Sequence, residues 1–313
     1  MHPHFLYSRI VVYLRQQIHR NMTHSIIKGI YPLLALCTVM TAGCGNNKST
    51  ITNEESDMTI ATDSLSLSDS LIMGGCKATV KITGLYPAEN DTRLTDSIRL
   101  WIGDRLSHAL SSTGTPLFTL NENLTRNGDS LISVACDSML ADTRHSFTSF
   151  IANSISTSYE YDFSFRPVFA TDSVLTYSFS GYVYFGGAHG GATGAGQTFV
   201  KSDGVRLNGS NMFLPEKRGE LLSQIKSGLW NQYFKQDMES DSMSLRDALL
   251  INPDTLHLPA FPPVFLPDGI NFTYQQYEIA CYAAGMPSCT ISYDSIKPLL
   301  TPEVARLIPP TKK

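Results

Sequence analysis

The chain is short of charge. Only 17% of its 313 residues are Asp, Glu, Lys or Arg, and their formal sum is -4, so no basic field is present for nucleic acid to meet. Metal-ligand spacing is missing as well. No Cys-x-x-Cys and no His-x-x-x-His pair occurs, and nothing begins a zinc site. No repeat of about 20 to 50 residues and no heptad run is present, which excludes solenoids and coiled coils. No apolar run is a comfortable match for the about 20 residues of a membrane-crossing helix. A plain globular body is left, with no cofactor, no metal and no nucleic-acid partner expected.

In place of a spanning helix stands a shorter pattern. Ile26, Ile27, Ile30, Leu33, Leu34, Leu36, Val39 and Met40 form an apolar run beside Lys28, interrupted by Gly29, Pro32 and Thr38 and followed by Thr41-Ala42-Gly43-Cys44. Small residues directly before a cysteine resemble the site read by lipoprotein signal peptidase. Residues 1–43 are therefore expected to be a signal peptide, with Met22 as an alternative start, and Cys44 the lipidated first residue of a periplasmic or outer-membrane-associated protein. An uncleaved anchor helix is the competing reading. Residues 45–73 are rich in Ser and Thr, carry five acidic residues against Lys48, and contain no aromatic residue. Such a composition buries too little apolar surface to order itself, so residues 44–73 are predicted to be a disordered tether. Asp63-Ser64-Leu65 and Asp69-Ser70-Leu71 within it resemble a bacterial O-glycosylation acceptor, although a polar spacer is the simpler reading.

Beyond Cys37 and Cys44, four cysteines remain: Cys76, Cys136, Cys281 and Cys289. An even number in an oxidising compartment permits two disulfides, and Cys281 and Cys289, flanking Gly285-Met286-Pro287, are candidates to face each other across a hairpin. Four buried thiols are the equal alternative. Thr79 to Thr83 alternates like a strand. Leu94, Ile98, Trp101, Ile102 and Leu106 recur at helical spacing behind the capping candidates Thr92 and Thr95, and Leu221, Leu222, Ile225, Leu229, Trp230 and Tyr233 mark a second helix. Tyr159 to Phe169 and Val174 to Phe185 read as strands, with Tyr159, Tyr161, Phe163, Phe165, Tyr182 and Tyr184 taken as core and sheet rather than a ligand platform. Strands mixed with helices outside any strict alternation predict an α+β fold of antiparallel sheets with packed helices. Two consecutive subdomains are expected, at 74–175 and 176–313.

The most informative stretch is Tyr182 to Gly191, a strand running into glycines around His189. Glycines permit positive φ and close backbone approach, so the strand can turn sharply there. A histidine at such a turn can serve as base or contact residue, or lock the loop through the backbone. Tyr184-Phe185-Gly186-Gly187-Ala188-His189-Gly190, with the downstream hairpin Thr198 to Leu207, resembles the Tyr-x-Gly-Gly-Ala-His motif of lysozyme-binding anti-sigma factors of the RsiV type. Tyr277-Glu278-Ile279-Ala280-Cys281-Tyr282-Ala283-Ala284-Gly285 is similar to that family's second motif. The resemblance implies an extracytoplasmic domain found in lysozyme receptors, beside polysaccharide deacetylases, and in lipoproteins. No sigma-binding segment and no His-x-x-x-His is read here, so neither transmembrane signalling nor deacetylation is expected. The expectation is a non-catalytic envelope protein, contacting a lysozyme-like protein or a peptidoglycan fragment through Tyr184, Gly186, Gly187, His189, Tyr277 and Tyr282. The alternatives are a hydrolase with His189 as base beside Asp203 or Glu278, and a purely structural role.

Overall fold

A computed structural model describes residues 60–88, 92–110, 115–235 and 243–310. The expected signal peptide, Cys44 and residues 45–59 lie outside them. The described chain opens with a hairpin of β1 (Thr62–Met73) and β2 (Cys76–Pro87), turned at Gly74 and Gly75, whose φ values are 51° and 84°. Residues 62–73 are thus strand, and the tether reading is corrected there. Leu65, Leu67 and Leu71 point inward and Ser64, Ser66, Ser68 and Ser70 outward, paired along the whole of β2. Composition hid this period-two pattern, because the strand gains its hydrogen bonds and half its burial from a partner rather than from its own residues.

Between β2 and its parallel neighbour the chain crosses over through helices. The helix α1 (Arg93–Ser107) starts at Thr92, whose hydroxyl accepts the Thr95 N–H while the Thr95 hydroxyl accepts the Thr92 N–H. That capping box satisfies two donors at the helix start, and Leu94, Ile98, Trp101, Ile102 and Leu106 are buried as their spacing predicts. After α2 (Glu122–Arg126) comes α3 (Gly128–Ala152), at 25 residues the longest of the described helices and unread from sequence. Its buried stripe runs Leu131, Ala135, Met139, Thr143, Phe147, and the small and polar members dilute the signal. Thr143 is placed in the core by its 2.7 Å hydrogen bond to the Tyr161 hydroxyl. No described helix is long and apolar enough to cross a membrane.

Strands β3 (Ser158–Ala170), β4 (Val174–Tyr184) and β5 (Gly191–Val200) complete a five-stranded sheet in the order β1-β2-β3-β4-β5, parallel only between β2 and β3. Tyr159, Tyr161, Phe163 and Phe165 lie in the helix-covered core, as read from sequence. Tyr182 and Tyr184 do not. They stand opposite Asp162 and Glu160 on the outer face, with Tyr182 40% exposed, and their assignment to the core is corrected.

The chain then forms α4 (Arg218–Gly228), which continues as a π-helical turn through Phe234, α5 (Leu245–Ala248), and a second sheet of β6 (Val264–Leu266), β7 (Gly269–Thr273) and β8 (Ser288–Ile291). Short helices α6 (Tyr293–Ile296) and α7 (Pro302–Ala305) close it. The fold is α+β, with two mostly antiparallel sheets and packed helices. Its two cores separate later than the expected 175/176 boundary. β4 and β5 pair into the first sheet, Phe199 belongs to the first core, and Leu207 begins the second, which also takes Val174.

The sheets are joined at Phe265. Its N–H donates to Thr198 Oγ1 at 3.0 Å, and its carbonyl accepts from Thr176 Oγ1 at 2.9 Å. The two hydroxyls are 2.9 Å apart, and since the Thr176 proton is committed to the carbonyl, Thr198 donates to Thr176 and the ring closes. All three residues are fully buried. Beside it Gly196 admits Val264, whose Cγ1 would lie 2.7 Å from any added Cβ.

The four described cysteines are free thiols, so no disulfide links them. Cys289 pairs in register with Phe272 and its thiol faces the Ile225 carbonyl, while Cys281 is exposed in the connection before β8. The expected Cys281–Cys289 pairing across a hairpin is corrected: the strand facing Cys289 is β7. Burial pushes the thiols of Cys136 and Cys289 up to about 11 and about 12.

Two measurements check this arrangement. Thr176→Val leaves the Phe265 carbonyl without its donor and is expected to cost about 1–3 kcal/mol, read as a lowered urea midpoint at unchanged slope. With the segment Gly45–Lys313 at pH 8, a thiol reagent is expected to label one cysteine rapidly, Cys281, and the other three only after unfolding. Rapid labelling of Cys136 or Cys289 in folded protein contradicts their burial.

Candidate functional site

The β4–β5 loop, residues 185–190, meets the β7–β8 connection at one end of the first sheet. Gly186 and Gly187 take φ values of 76° and 102°, the sharp turn expected of them, and the Tyr184 hydroxyl donates to the Gly187 carbonyl at 3.0 Å. His189 Nδ1 donates to the Gly190 carbonyl at 3.1 Å, and the His189 ring stacks on Tyr282, centroids 4.0 Å apart and planes 25° apart. The Tyr282 hydroxyl also donates to Gly190, at 2.8 Å. Gly190 leaves room for the tip of the Tyr182 ring, which would lie 2.5 Å from an added Cβ.

From the second sheet, Gln275 and Gln276 reach the free edge of β5. The Gln275 side chain accepts the Gly194 N–H at 3.1 Å and donates to the Gly194 carbonyl at 2.8 Å, the two bonds a further strand would make. Gln276 accepts the Ala192 N–H at 2.9 Å. The next residue, Tyr277, is held at φ 64°, a conformation a bulky side chain rarely adopts, and is 60% exposed with its ring 5.9 Å from that of Tyr282. Glu278 fixes that turn by accepting the N–H groups of Gln275 and Ala260, each at 2.7 Å.

Of the six contact residues read from sequence, the fold brings all to this one ledge: Tyr184, Gly186, Gly187 and His189 from the first sheet, Tyr277 and Tyr282 from the second. The carboxylates named as partners for His189 are used elsewhere. Glu278 holds the turn, and Asp203 accepts the Val205 N–H at 3.0 Å. Among the described residues no His, Cys, Asp and Glu side chains gather to hold a metal ion. Sequence reasoning missed Gln275, Gln276 and Tyr182. Two consecutive glutamines before a tyrosine were the visible trace, but an amide that completes a sheet edge has no spacing of its own. The recess between the sheets, lined by Gly196, Val264 and Met286, is only about 60 Å³ and includes none of the six.

Comparison with known proteins locates the second half of the ledge. Residues 210–294 match a family model described as a protein of unknown function, DUF3298. The chain carries a DUF3298 domain there. Tyr277 and Tyr282 fall inside the DUF3298 match and His189 outside it, so the site straddles its boundary. The crystal structure of a DUF3298 family member from Bacteroides fragilis aligns with a TM-score of 0.61 at 19% identity, over 80% of this chain and 97% of that one. A DUF3298 family protein from Pseudomonas aeruginosa aligns with a TM-score of 0.54 at 15% identity, over 79% and 97%. At these identities the likeness shows the fold alone. No curated protein matches the chain.

The backbone at residue 277 gives a direct check. Tyr277→Gly is expected to be more stable than Tyr277→Ala by about 1 kcal/mol, because an L-residue in the left-handed region is disfavoured by roughly that amount. Equal midpoints in a urea series contradict the strained turn.

Proposed function

We propose that this protein is a non-catalytic binding protein of the bacterial cell envelope, carried on lipid at Cys44, whose ledge recognises a lysozyme-like protein or a cell-wall glycan. The observation that carries the reading is the outward presentation of Tyr277 from a strained turn, beside Tyr282 and His189. Backbone strain persists only where its surroundings impose it, and here those surroundings are the half-buried carboxylate of Glu278 and the amide side chains of Gln275 and Gln276, which tie the turn to the backbone on either side. Rigid aromatics offer contact area at low entropic cost. His189 supports contact rather than proton transfer, since its face is given to a tyrosine and the carboxylates named for it, Asp203 and Glu278, hold backbone N–H groups elsewhere. The RsiV-type motifs, with their lysozyme-binding branch, point the same way, and the Ser- and Thr-rich residues 45–61 would let the body stand off the bilayer.

Calorimetric titration of Gly45–Lys313 with animal-type and phage-type lysozymes, and with soluble wall fragments, tests the reading. Saturable binding at micromolar Kd or tighter is expected, weakened about tenfold or more by Tyr277→Ala, the loss of about 1.4 kcal/mol or more that removal of a contact aromatic brings. Silence from every ligand overturns it.

A further inference from the structure

The ledge does not end at the loop. Tyr182 packs against Gly190 and belongs to the outer face of the five-stranded sheet, which runs from there to β1. Register places Ser68, Lys81, Asp162 and Tyr182 in one row across four strands, with Ser180 and Tyr184 in the rows on either side. Ser68, Lys81, Asp162, Ser180 and Tyr182 are exposed, whereas the alternate residues of the same strands are buried under α1 and α3.

The chemistry of this face is specific. Its charged members over β1 to β4 are Lys77, Lys81 and Arg166 against Glu160 and Asp162, one positive charge in excess, and Lys81 is already 3.4 Å from Asp162. A single charge in excess, with the two signs interspersed, gives little attraction to a polyanion, a polycation or an anionic membrane. Apart from exposed Ile72 and Leu85 at its two ends, the remaining groups are mostly short hydroxyls, which lose little freedom on contact, and Ser, Lys, Glu and Asp are the residues depleted from protein–protein interfaces. Two tyrosines stand directly opposite two carboxylates. A ring face against C–H groups, beside a carboxylate that accepts from neighbouring hydroxyls, is the complement of a sugar.

We propose that the outer face of the five-stranded sheet, entered over Tyr182, binds an extended, uncharged polysaccharide strand. The proposal rests on the reading of the ledge as a ligand site and selects glycan over protein as what lies across it. The sugar rings stack on Tyr182 and on the ledge tyrosines. Asp162, Glu160 and Lys81 exchange hydrogen bonds with the hydroxyls, and the serines line the path.

The test titrates Gly45–Lys313 with hexamers of β-linked N-acetylglucosamine and of β-linked glucose, and in parallel with the lysozymes. Saturable binding of either hexamer is expected, reduced at least tenfold by Tyr182→Ala and by Asp162→Ala. Both sites are exposed, so unfolding midpoints should stay close to the parent. Asp162→Asn, which replaces one oxygen, carries the test if an alanine variant is destabilised. Hexamer binding that falls with Tyr277→Ala but is untouched by Tyr182→Ala, Asp162→Ala and Asp162→Asn overturns the sheet surface and keeps the ledge. Lysozyme binding without hexamer binding also overturns it and leaves the function proposed above standing. Silence from every ligand overturns both.

Discussion

Two sheets that share no strand are held in one orientation by a closed ring of hydrogen bonds at Phe265. Each of its three members donates once and accepts once, and burial removes the water that would otherwise compete. A buried ring of this kind is directional in a way apolar packing is not, and it fixes the second sheet's position along β4 and β5. Gly196 then sets the distance, because any side chain there would displace Val264. Everything at the ledge follows, since His189 and Tyr282 approach to 4.0 Å only if the two sheets are seated in this register.

Edge strands pose a second constraint, and the chain meets it with glutamine. An open edge offers unpaired N–H and C=O groups to any passing strand. Gln275 satisfies both groups of Gly194 on β5, and Gln232, from the π-helical turn, satisfies both groups of Thr290 on β8 at 2.9 Å each. On β1 the device is different: Asp69 sits in register with buried Val80, a charge in the inward phase of an edge strand. In the first case protection and function coincide, because the amide that closes β5 also draws in the turn that carries Tyr277.

Legibility followed the locality of the cause. The α1 helix was readable because Thr92, Thr95 and the apolar spacing lie within one segment. The glycine loop was readable because positive φ is a property of single residues, and the motif residues around it do converge in space. The tether assignment failed at residues 62–73 because what orders β1 is β2, and the α3 stripe was hidden where Ala135 and Thr143 take core positions. Tyr182 was misplaced by composition. An aromatic residue in a strand is read as core, yet its even-numbered phase, shared with Ser180 and Tyr184, placed it outside. The cysteine pairing rested on a guessed hairpin, and the actual partner strand of β8 was β7.

The seam position of the ledge has an energetic consequence. Its contacts are contributed by both sheets, so a ligand spanning Tyr182 and Tyr277 would bind only when the sheets are joined, and the free energy of binding would add to the free energy of keeping them joined. The Thr176–Thr198–Phe265 ring and the Gln275 bonds already hold that arrangement in the free protein, so little of the binding energy is spent on ordering. Small hydroxyls and rings locked through backbone carbonyls extend the same logic to the side chains. A surface built so is suited to a ligand whose own contacts are individually weak, for which lost flexibility would otherwise consume most of the gain.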